Sequence, residues 1–279
     1  MIKAIFFDID GTLVGSDSQA DATTKAAIAE ARKKGILCGI ATGRSPVKIS
    51  EMIDFIELDV FVTYNGQLVY TPEQDIYKNP FSKQVLNEIV DYADGHNRQI
   101  LFGARNRLDG SRTVSFGNSV FAKSLTKFVP KNLTSKVLKF GLQKLRKARK
   151  KKSYHRLSIL NEPIYQCIML SSESGDHLLR ERLPHCDFQR SNQFSVDVTP
   201  KGGSKLHGIE AFIQLHDIKL SEVMAFGDNL NDIDMLTHVG YGVAMGNGRQ
   251  EVKEIADFVT HSNESDGIAF AMKHYGVIE

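Results

Sequence analysis

Cysteine and long apolar runs are both scarce in this chain of 279 residues. The three cysteines, Cys38, Cys167 and Cys186, lie far apart. An odd, widely spaced set argues against a disulfide framework or a zinc site and favours a reducing compartment, so we expect a cytoplasmic protein. No apolar run approaches the roughly 20 residues that a membrane-spanning helix needs. The N-terminal strand pattern leads directly into acidic residues, which is unlike a signal peptide. We therefore expect no membrane partner.

Acidic residues are absent from a long internal stretch. Neither Asp nor Glu occurs between Gly110 and Asn161, while basic residues are frequent from Lys123 to Arg156 and concentrate in Lys144 to Lys152. Three interpretations remain open: a solvated helix face, which is the usual explanation for a run of charge, a surface that attracts anionic substrates, and a nucleic-acid site. The basic cluster has no interleaved aromatic residues and no recognisable binding motif, so nucleic acid is the least favoured partner.

The opening stretch of the chain predicts a metal site. Ala4 to Phe7 is an apolar run, typical of a strand that is buried on both faces of a parallel sheet. Asp8 and Asp10 follow at alternate positions before the turn residue Gly11, and alternation puts both side chains on one side of a regular strand. Open α/β sheets bind ligands at this edge. Two nearby carboxylates repel each other unless a cation or a shared proton intervenes, and an all-oxygen site suits Mg²⁺. The alternative is a turn with two solvated aspartates.

A second buried strand ends at Ala41 and leads into Thr42, Gly43 and Arg44. A predicted helix separates it from the first strand, and a β-α-β unit this short implies a right-handed crossover with parallel neighbours. Thr42 should therefore lie near the two aspartates. A hydroxyl followed by glycine and the start of a helix binds phosphoryl oxygens well, because backbone N–H groups and the helix dipole contribute. The alternative role for Thr42 is that of an N-cap.

The next segment contains a predicted helix over Val47 to Ile56 and a third strand over Val60 to Thr63. Asn65 and Gly66 follow this strand and precede another strand-like run. An Asn-Gly pair between two such runs is a signal for a hairpin turn. The residues alone therefore assign a turn to this position.

Further along the chain, Gly202 and Gly203 are followed by Lys205, which stands at the predicted start of a helix. A cation there faces an unfavourable helix dipole, which an anion in front of it would relieve. Lys201 is the competing candidate for this role. A further buried strand, Val223 to Phe226, then delivers acidic residues to the same edge of the sheet. The candidate site residues that follow this strand are Asp228, Asn231 and Asp232.

These segments resemble the motifs of one enzyme family. Asp8-Ile9-Asp10-Gly11-Thr12 is similar to the first motif, DxDGT, of the haloacid dehalogenase-like phosphatases, and Gly227 to Asp232 is similar to their fourth, GDxxND. Thr42 and Lys205 match the second and third motifs. The resemblance covers the core almost from end to end, and the placement of the inserted segment resembles the large cap of the Cof-type subgroup. The basic stretch departs from that subgroup, which leaves the substrate open.

The resemblance implies an α/β fold in which a Rossmann-like, doubly wound parallel sheet forms the core and an α/β cap domain is inserted into it. The expected domains are a first core part over 1–80, a cap over 81–189 and a second core part over 190–279. The implied partner is a small-molecule phosphate monoester, such as a sugar phosphate or a phosphorylated cofactor. Oligomeric state is not predicted.

The resemblance also implies roles for the residues. Asp8 would be the nucleophile and Asp10 the general acid and base, with Mg²⁺ held by Asp8, Asp228 and Asp10, the last through its backbone carbonyl. The expected phosphate or substrate contacts are Thr42, Gly43, Arg44, Asn65, Lys205 and Asn231. Asp232 would orient a ligand or pair with Lys205. Two other functions remain open, namely a phosphomutase on the same scaffold and a nucleic-acid or regulatory binding protein that uses the basic stretch.

Overall fold

The computed structural model describes residues 1–15, 19–111, 153–190 and 194–279. They form two compact units. The larger unit combines Met1–Asn79 with Gly202–Glu279, and the smaller one comprises Pro80–Lys201. The chain therefore leaves the larger unit once and returns to it once.

The larger unit is built on an eight-stranded sheet with the order β13-β12-β11-β1-β2-β3-β4-β5. Its strands are β1 (Ala4–Phe7), β2 (Leu37–Ala41), β3 (Val60–Thr63), β4 (Leu68–Tyr70), β5 (Asp75–Lys78), β11 (Val223–Gly227), β12 (Tyr241–Ala244) and β13 (Phe258–Val259). The six strands from β13 to β3 are parallel, while β4 and β5 extend the sheet in antiparallel fashion. The first strand is central and fully buried, as its apolar run predicts.

Helices cover both faces of this sheet, as buried parallel strands require. In the larger unit they are α1 (Ala22–Lys33), α2 (Ile49–Met52), α5 (Lys205–Ile213), α6 (Ile233–His238), α7 (Gln250–Lys253) and α8 (Gly267–His274). The side chain of Asp21 caps α1 by accepting the N–H of Thr23 at 3.3 Å. The α1 crossover leads to a parallel neighbour of β1, as predicted from the short β-α-β unit.

The smaller unit has its own five-stranded antiparallel sheet with the order β7-β6-β8-β10-β9. Its elements are α3 (Lys83–Gly95), β6 (Ile100–Gly103), β7 (Leu108–Gly110), β8 (Gln166–Leu170), α4 (Asp176–Arg182), β9 (Cys186–Gln189) and β10 (Ser195–Pro200). The strand β10 pairs with both β8 and β9, although the sequence-based boundary at residue 190 assigns it to the core. The smaller unit therefore extends to Lys201, because an inner strand of its sheet comes last in the chain.

Two other sequence-based predictions need comment. The helix predicted over Val47 to Ile56 is only one turn long, because Lys48 before it and Asp54 and Phe55 after it adopt left-handed backbone conformations. The basic cluster Lys144 to Lys152 lies outside the described residues. Within the parts of the chain that the structure covers, no helix has both the length and the apolar character needed to cross a bilayer.

Candidate active site

The predicted site residues follow three neighbouring strands at the same edge of the sheet. Asp8 follows β1, Thr42 follows β2 and Asp228 follows β11. Since β1 lies between β2 and β11, the strand order reverses beside Asp8, which is the position where open α/β sheets bind ligands. The N–H of Asp8 donates to the carbonyl of Phe226 at 3.0 Å, so the ladder continues one residue beyond β1.

Lys205 is the centre of a buried ion-pair network. It is the first residue of α5, a helix that Ser204 caps by accepting the N–H of His207 at 3.2 Å. Its Nζ donates to Oδ1 of Asp8 and to Oδ1 of Asp232, both at 2.6 Å. The side chains of Lys205 and Asp232 are 0% exposed. The competing candidate, Lys201, is exposed and donates to the carbonyl of Pro184 in the smaller unit.

Asp232 orients the strand end that carries Asp228. Its Oδ2 accepts the N–H groups of Asp228 at 3.0 Å and of Asn229 at 2.9 Å, while Oδ1 accepts from Lys205. Both carboxylate oxygens are thus engaged by donors of the protein. This arrangement fits an orienting acid that pairs with Lys205.

The Gly-Thr pair after Asp10 supports Asp228 directly. The hydroxyl of Thr12 donates to Oδ1 of Asp228 at 3.1 Å. Gly11 has φ +89°, and a Cβ atom on it would lie only 2.5 Å from Oδ2 of Asp228. A side chain at position 11 would therefore displace the carboxylate as well as strain the backbone.

The buried carboxylates have raised pKa values. Burial is the main cause of the rise in the pKa of Asp8 to about 8, to which the charges of Asp232, Asp228 and Asp10 add, while Lys205 opposes it. Burial likewise raises the pKa of Asp228 to about 7, with a further contribution from Asp232. Burial disfavours the charged form of Lys205, but Asp232 and Asp8 outweigh it and raise the lysine pKa. The reference value near 4 therefore does not describe Asp8 in the metal-free protein.

The acidic cluster has the chemistry of a divalent-cation site. Oxygen atoms of Asp8, Asp228 and Asp232 lie within 4.8 Å of one another. Four carboxylates of the site, with Asp10 included, face two cationic groups, Lys205 and Arg44. When all four carboxylates are ionised, two negative charges remain, which matches one divalent cation. Because both oxygens of Asp232 already accept hydrogen bonds, Asp8 and Asp228 are the better ligands.

The two aspartates of the opening motif have different environments, which strand alternation does not predict. The strand ends at Phe7, so Asp8 and Asp10 lie beyond it, and Asp8 is buried while the side chain of Asp10 is 45% exposed. The carboxylate of Asp10 is held by Arg44, whose Nε and Nη2 donate to Oδ2 and Oδ1 at 2.5 Å each. The structure thus pairs Arg44 with Asp10, a candidate catalytic residue.

The other predicted phosphate contacts lie on adjoining loops. The hydroxyl of Thr42 is buried and accepts the N–H of Arg44 at 3.2 Å, and no helix follows it directly. Asn65 is also buried, adopts φ +53°, and its Oδ1 accepts Nδ2 of Asn231 at 3.3 Å. The side-chain amide of Asn65 approaches Gly43 so closely that a Cβ there would lie 3.0 Å from it. Asn65 therefore packs beneath the loop that carries Thr42.

Sequence reasoning missed the residues that tie the loops together. Asn247 donates through Nδ2 to the carbonyl of Gly11 at 2.7 Å and accepts the N–H of Asn263 at 3.0 Å. Asn263 in turn donates to the carbonyl of Val14 at 2.9 Å. The available signal was the Gly-Asn-Gly sequence after β12, since glycines around a polar residue mark a loop with close backbone contacts.

Comparison with known proteins identifies the family. A family model described as haloacid dehalogenase-like hydrolase matches residues 5–272. The Bacillus subtilis (strain 168) protein YkrA, named as a candidate phosphatase, is 33% identical over 280 residues and covers 99% of each chain. YcsE of the same organism, named 5-amino-6-(5-phospho-D-ribitylamino)uracil phosphatase, is 28% identical over 276 residues, covering 98% of this chain and 96% of that protein.

A solved structure agrees in fold. The sugar phosphatase BT4131, of haloacid dehalogenase subclass IIB, superposes with a TM-score of 0.77 at 30% identity, covering 99% of this chain and 100% of that one. The predicted fold class is thereby confirmed. With the family match across almost the whole sequence, the chain belongs to the haloacid dehalogenase-like hydrolases and is a phosphatase of that superfamily.

Proposed function

We propose that this phosphatase hydrolyses small phosphate monoesters in a Mg²⁺-dependent reaction that passes through an aspartyl-phosphate on Asp8. One observation carries the proposal. Asp8 lies at the end of the central strand in a 2.6 Å contact with Lys205, within a buried carboxylate cluster that has two uncompensated negative charges. A nucleophile, a cation for the phosphoryl oxygens and a place for Mg²⁺ thus coincide at one point.

The nucleophilic step belongs to Asp8. Its carboxylate attacks phosphorus in line with the leaving oxygen, which requires the ionised form. Because the pKa of Asp8 is about 8 without metal, an added positive charge beside it favours that form at neutral pH. Mg²⁺ held by Asp8, Asp228 and the backbone carbonyl of Asp10 would supply this charge and neutralise phosphoryl oxygens.

Asp10 is the acid and base of the proposed cycle. Its half-exposed carboxylate protonates the departing oxygen and then accepts a proton from the water that cleaves the aspartyl-phosphate. The proton taken from water restores the acid form of Asp10 at the end of each turnover, so no further acid is required.

Lys205, Thr42 and Asn231 are the proposed contacts of the phosphoryl oxygens. The ammonium of Lys205 is fixed by two carboxylates and needs little reorganisation when charge develops in front of it. Asn65 reaches the oxygens only indirectly, through Asn231 and the loop at Gly43.

The substrate class follows from the relatives. YcsE is named for a phosphoribityl compound and BT4131 for sugar phosphates, so we propose a phosphorylated sugar, polyol or cofactor as the substrate. We assign the choice of leaving group to the unit Pro80–Lys201, which occupies the place of the cap in the chain. The proposed location remains the cytoplasm, in keeping with three free and buried cysteines.

The test is phosphate release from a panel of monoesters that includes an aryl phosphate, with Mg²⁺ and with a chelator. We expect release only with Mg²⁺ and none from Asp8→Asn. Asp59→Asn is the matched control, because Asp59 also accepts from a cation but at the opposite edge of the sheet. Absence of release from every ester would overturn the proposal, and transfer of phosphate to a second sugar without release would indicate a mutase.

A further inference from the structure

All three nitrogens of the Arg44 guanidinium have partners. Nε and Nη2 donate to the two carboxylate oxygens of Asp10, and Nη1 lies 3.3 Å from Sδ of Met52. The edge formed by Nε and Nη2 is the fork with which arginine binds phosphate and carboxylate groups alike. In this protein that fork holds Asp10, so it is not directed at a phosphoryl group.

The loop that carries Arg44 is fixed on both sides. The N–H of Arg44 donates to the hydroxyl of Thr42 at 3.2 Å, and its carbonyl accepts the N–H of Tyr64 at 3.0 Å. Tyr64 and Asn65 are consecutive, buried and left-handed, with φ +53° each, which is uncommon for a bulky residue. Asn65 also donates its N–H to the carbonyl of Thr42 at 2.9 Å. This constrained turn thus fixes the backbone position from which the Arg44 side chain extends.

We propose that Arg44 is a positioning residue for Asp10, which it holds in the orientation for proton transfer, and that it does not bind the phosphoryl group. The inference rests on the proposed function. In the step concerned, Asp8 forms a bond to phosphorus and the bond from phosphorus to the leaving oxygen breaks. The proton moves to that oxygen from one carboxyl oxygen of Asp10 while the other accepts from Arg44, and ionised Asp10 then regains the two-point pairing that the structure shows. Water later gives a proton to Asp10, while the oxygen of that water forms a bond to phosphorus and the bond between Asp8 and phosphorus breaks.

The choice of leaving group distinguishes a role of Arg44 in positioning Asp10 from a role in binding the phosphoryl group. A sugar or alkyl oxygen needs a proton when it departs, whereas p-nitrophenolate departs without one. The quantity kcat/KM covers the steps up to that departure. The ratio of kcat/KM for an alkyl phosphate to that for p-nitrophenyl phosphate therefore follows the proton transfer, while a contact to the phosphoryl group affects both esters equally.

The experiment measures this ratio in Arg44→Gln and Arg44→Lys, with the alkyl ester that the parent hydrolyses fastest in the panel. We expect the ratio to fall about tenfold or more in both variants, since positioned acids contribute on the order of 10²- to 10⁴-fold. Inhibition by inorganic phosphate should stay within about twofold of the parent, because phosphate has no leaving group to protonate. The control is Arg32→Gln, since Arg32 makes the same two-point contact with Asp59 far from the site, and its ratio should be unchanged.

Three outcomes overturn the inference. Equal losses for both esters, with weaker inhibition by phosphate, would make Arg44 a phosphoryl contact. An unchanged ratio in a folded Arg44→Lys would show that Arg44 does not position Asp10. A further fall of the ratio when Arg44→Gln is added to Asp10→Ala would show the same, because Asp10 is then already absent. If Arg44→Gln does not fold, Arg44→Lys decides the question. Turnover by Asp8→Asn, measured alongside, would overturn the proposed function and not this inference.

Discussion

The two edges of the large sheet carry ion-pair networks of opposite character. At the carboxyl edge, Lys205 is fully buried between Asp8 and Asp232. At the amino edge, Arg32 pairs with Asp59 at 2.8 Å and with Glu57 at 3.1 Å, where solvent reaches all three side chains.

The two networks differ in whether their surroundings favour the charged forms of their side chains. The outer network holds the start of β3 against β2, since Asp59 also accepts the N–H of Cys38 at 2.8 Å. Hydrogen bonding to Asp59 raises the pKa of Arg32, so the pair stabilises the charge of the guanidinium. At the inner network, burial and then the neighbouring carboxylates raise the pKa of Asp8 and of Asp228, so their charged forms are disfavoured until a cation arrives. Carboxylates with strongly raised pKa values are typical of functional sites.

The largest contrast should come from removing the cation at each edge. Lys205→Met leaves two carboxylates buried without their partner. We expect kcat/KM to fall on the order of 10²- to 10³-fold and the free energy of unfolding to fall by about 3–5 kcal/mol. Arg32→Met should cost about 1 kcal/mol or less and leave activity unchanged. Kinetics with an aryl phosphate and urea unfolding measure both quantities, and similar effects at the two edges would contradict the comparison.

A smaller contrast is expected between two left-handed glycines. Gly11 and Gly35 have φ +89° and +83°, but a Cβ would meet Oδ2 of Asp228 at 2.5 Å in the first case and open space in the second. Both alanine variants should lose about 1–2 kcal/mol of stability from the backbone. Gly11→Ala should in addition lose about 10²-fold in kcat/KM, because it displaces the Asp228 carboxylate. Full activity of Gly11→Ala at saturating Mg²⁺ would show that the Asp228 position is not critical.

For a change of one pH unit, the smallest expected effect is a pH dependence of stability in the metal-free protein. The folded pKa of Asp8 is about 8 and its unfolded value is 3.8, so the native state binds more protons between these pH values. The contribution of Asp8 to the free energy of unfolding should therefore be greatest below pH 4. It should fall as pH rises toward 8, by at most about 1.4 kcal/mol per pH unit.

Asp8→Asn isolates this contribution. Its stability relative to the parent should increase from pH 4 to pH 8 in the presence of chelator, whereas that of Asp59→Asn should not. Urea unfolding at several pH values provides the comparison. An Asp8→Asn curve parallel to that of the parent would mean that Asp8 is ionised without a cation.

The sequence was sufficient to place the polar residues that follow the parallel strands. Asp8, Thr42 and Asp228 each follow an apolar run, and parallel neighbours bring such positions together. The start of α5 identified Lys205 over Lys201, and the structure places Lys205 in the cluster.

What the sequence could not provide depends on loop conformation and long-range packing. The pairing of Arg44 with Asp10 joins two loops that lie 34 positions apart in the sequence, and the Asn-Gly turn signal does not bring them together. The raised pKa of Asp8 is a consequence of burial, which appears only when the sheet and its helices are assembled. The boundary predicted at residue 190 differs from the observed one because β10, the last strand of that segment, is an inner strand of the smaller sheet, between β8 and β9.

The most direct test of the account is chemical capture of the phosphorylated residue. The enzyme, turning over an aryl phosphate with Mg²⁺, is quenched in acid and treated with borohydride, which reduces an acyl-phosphate to an alcohol. The account predicts that peptide mass spectrometry finds homoserine at position 8, that Asp59 is unmodified, and that omission of Mg²⁺ abolishes the product. Reduction at another aspartate, or rapid release of phosphate with Asp8 unmodified at every quench time, would contradict it.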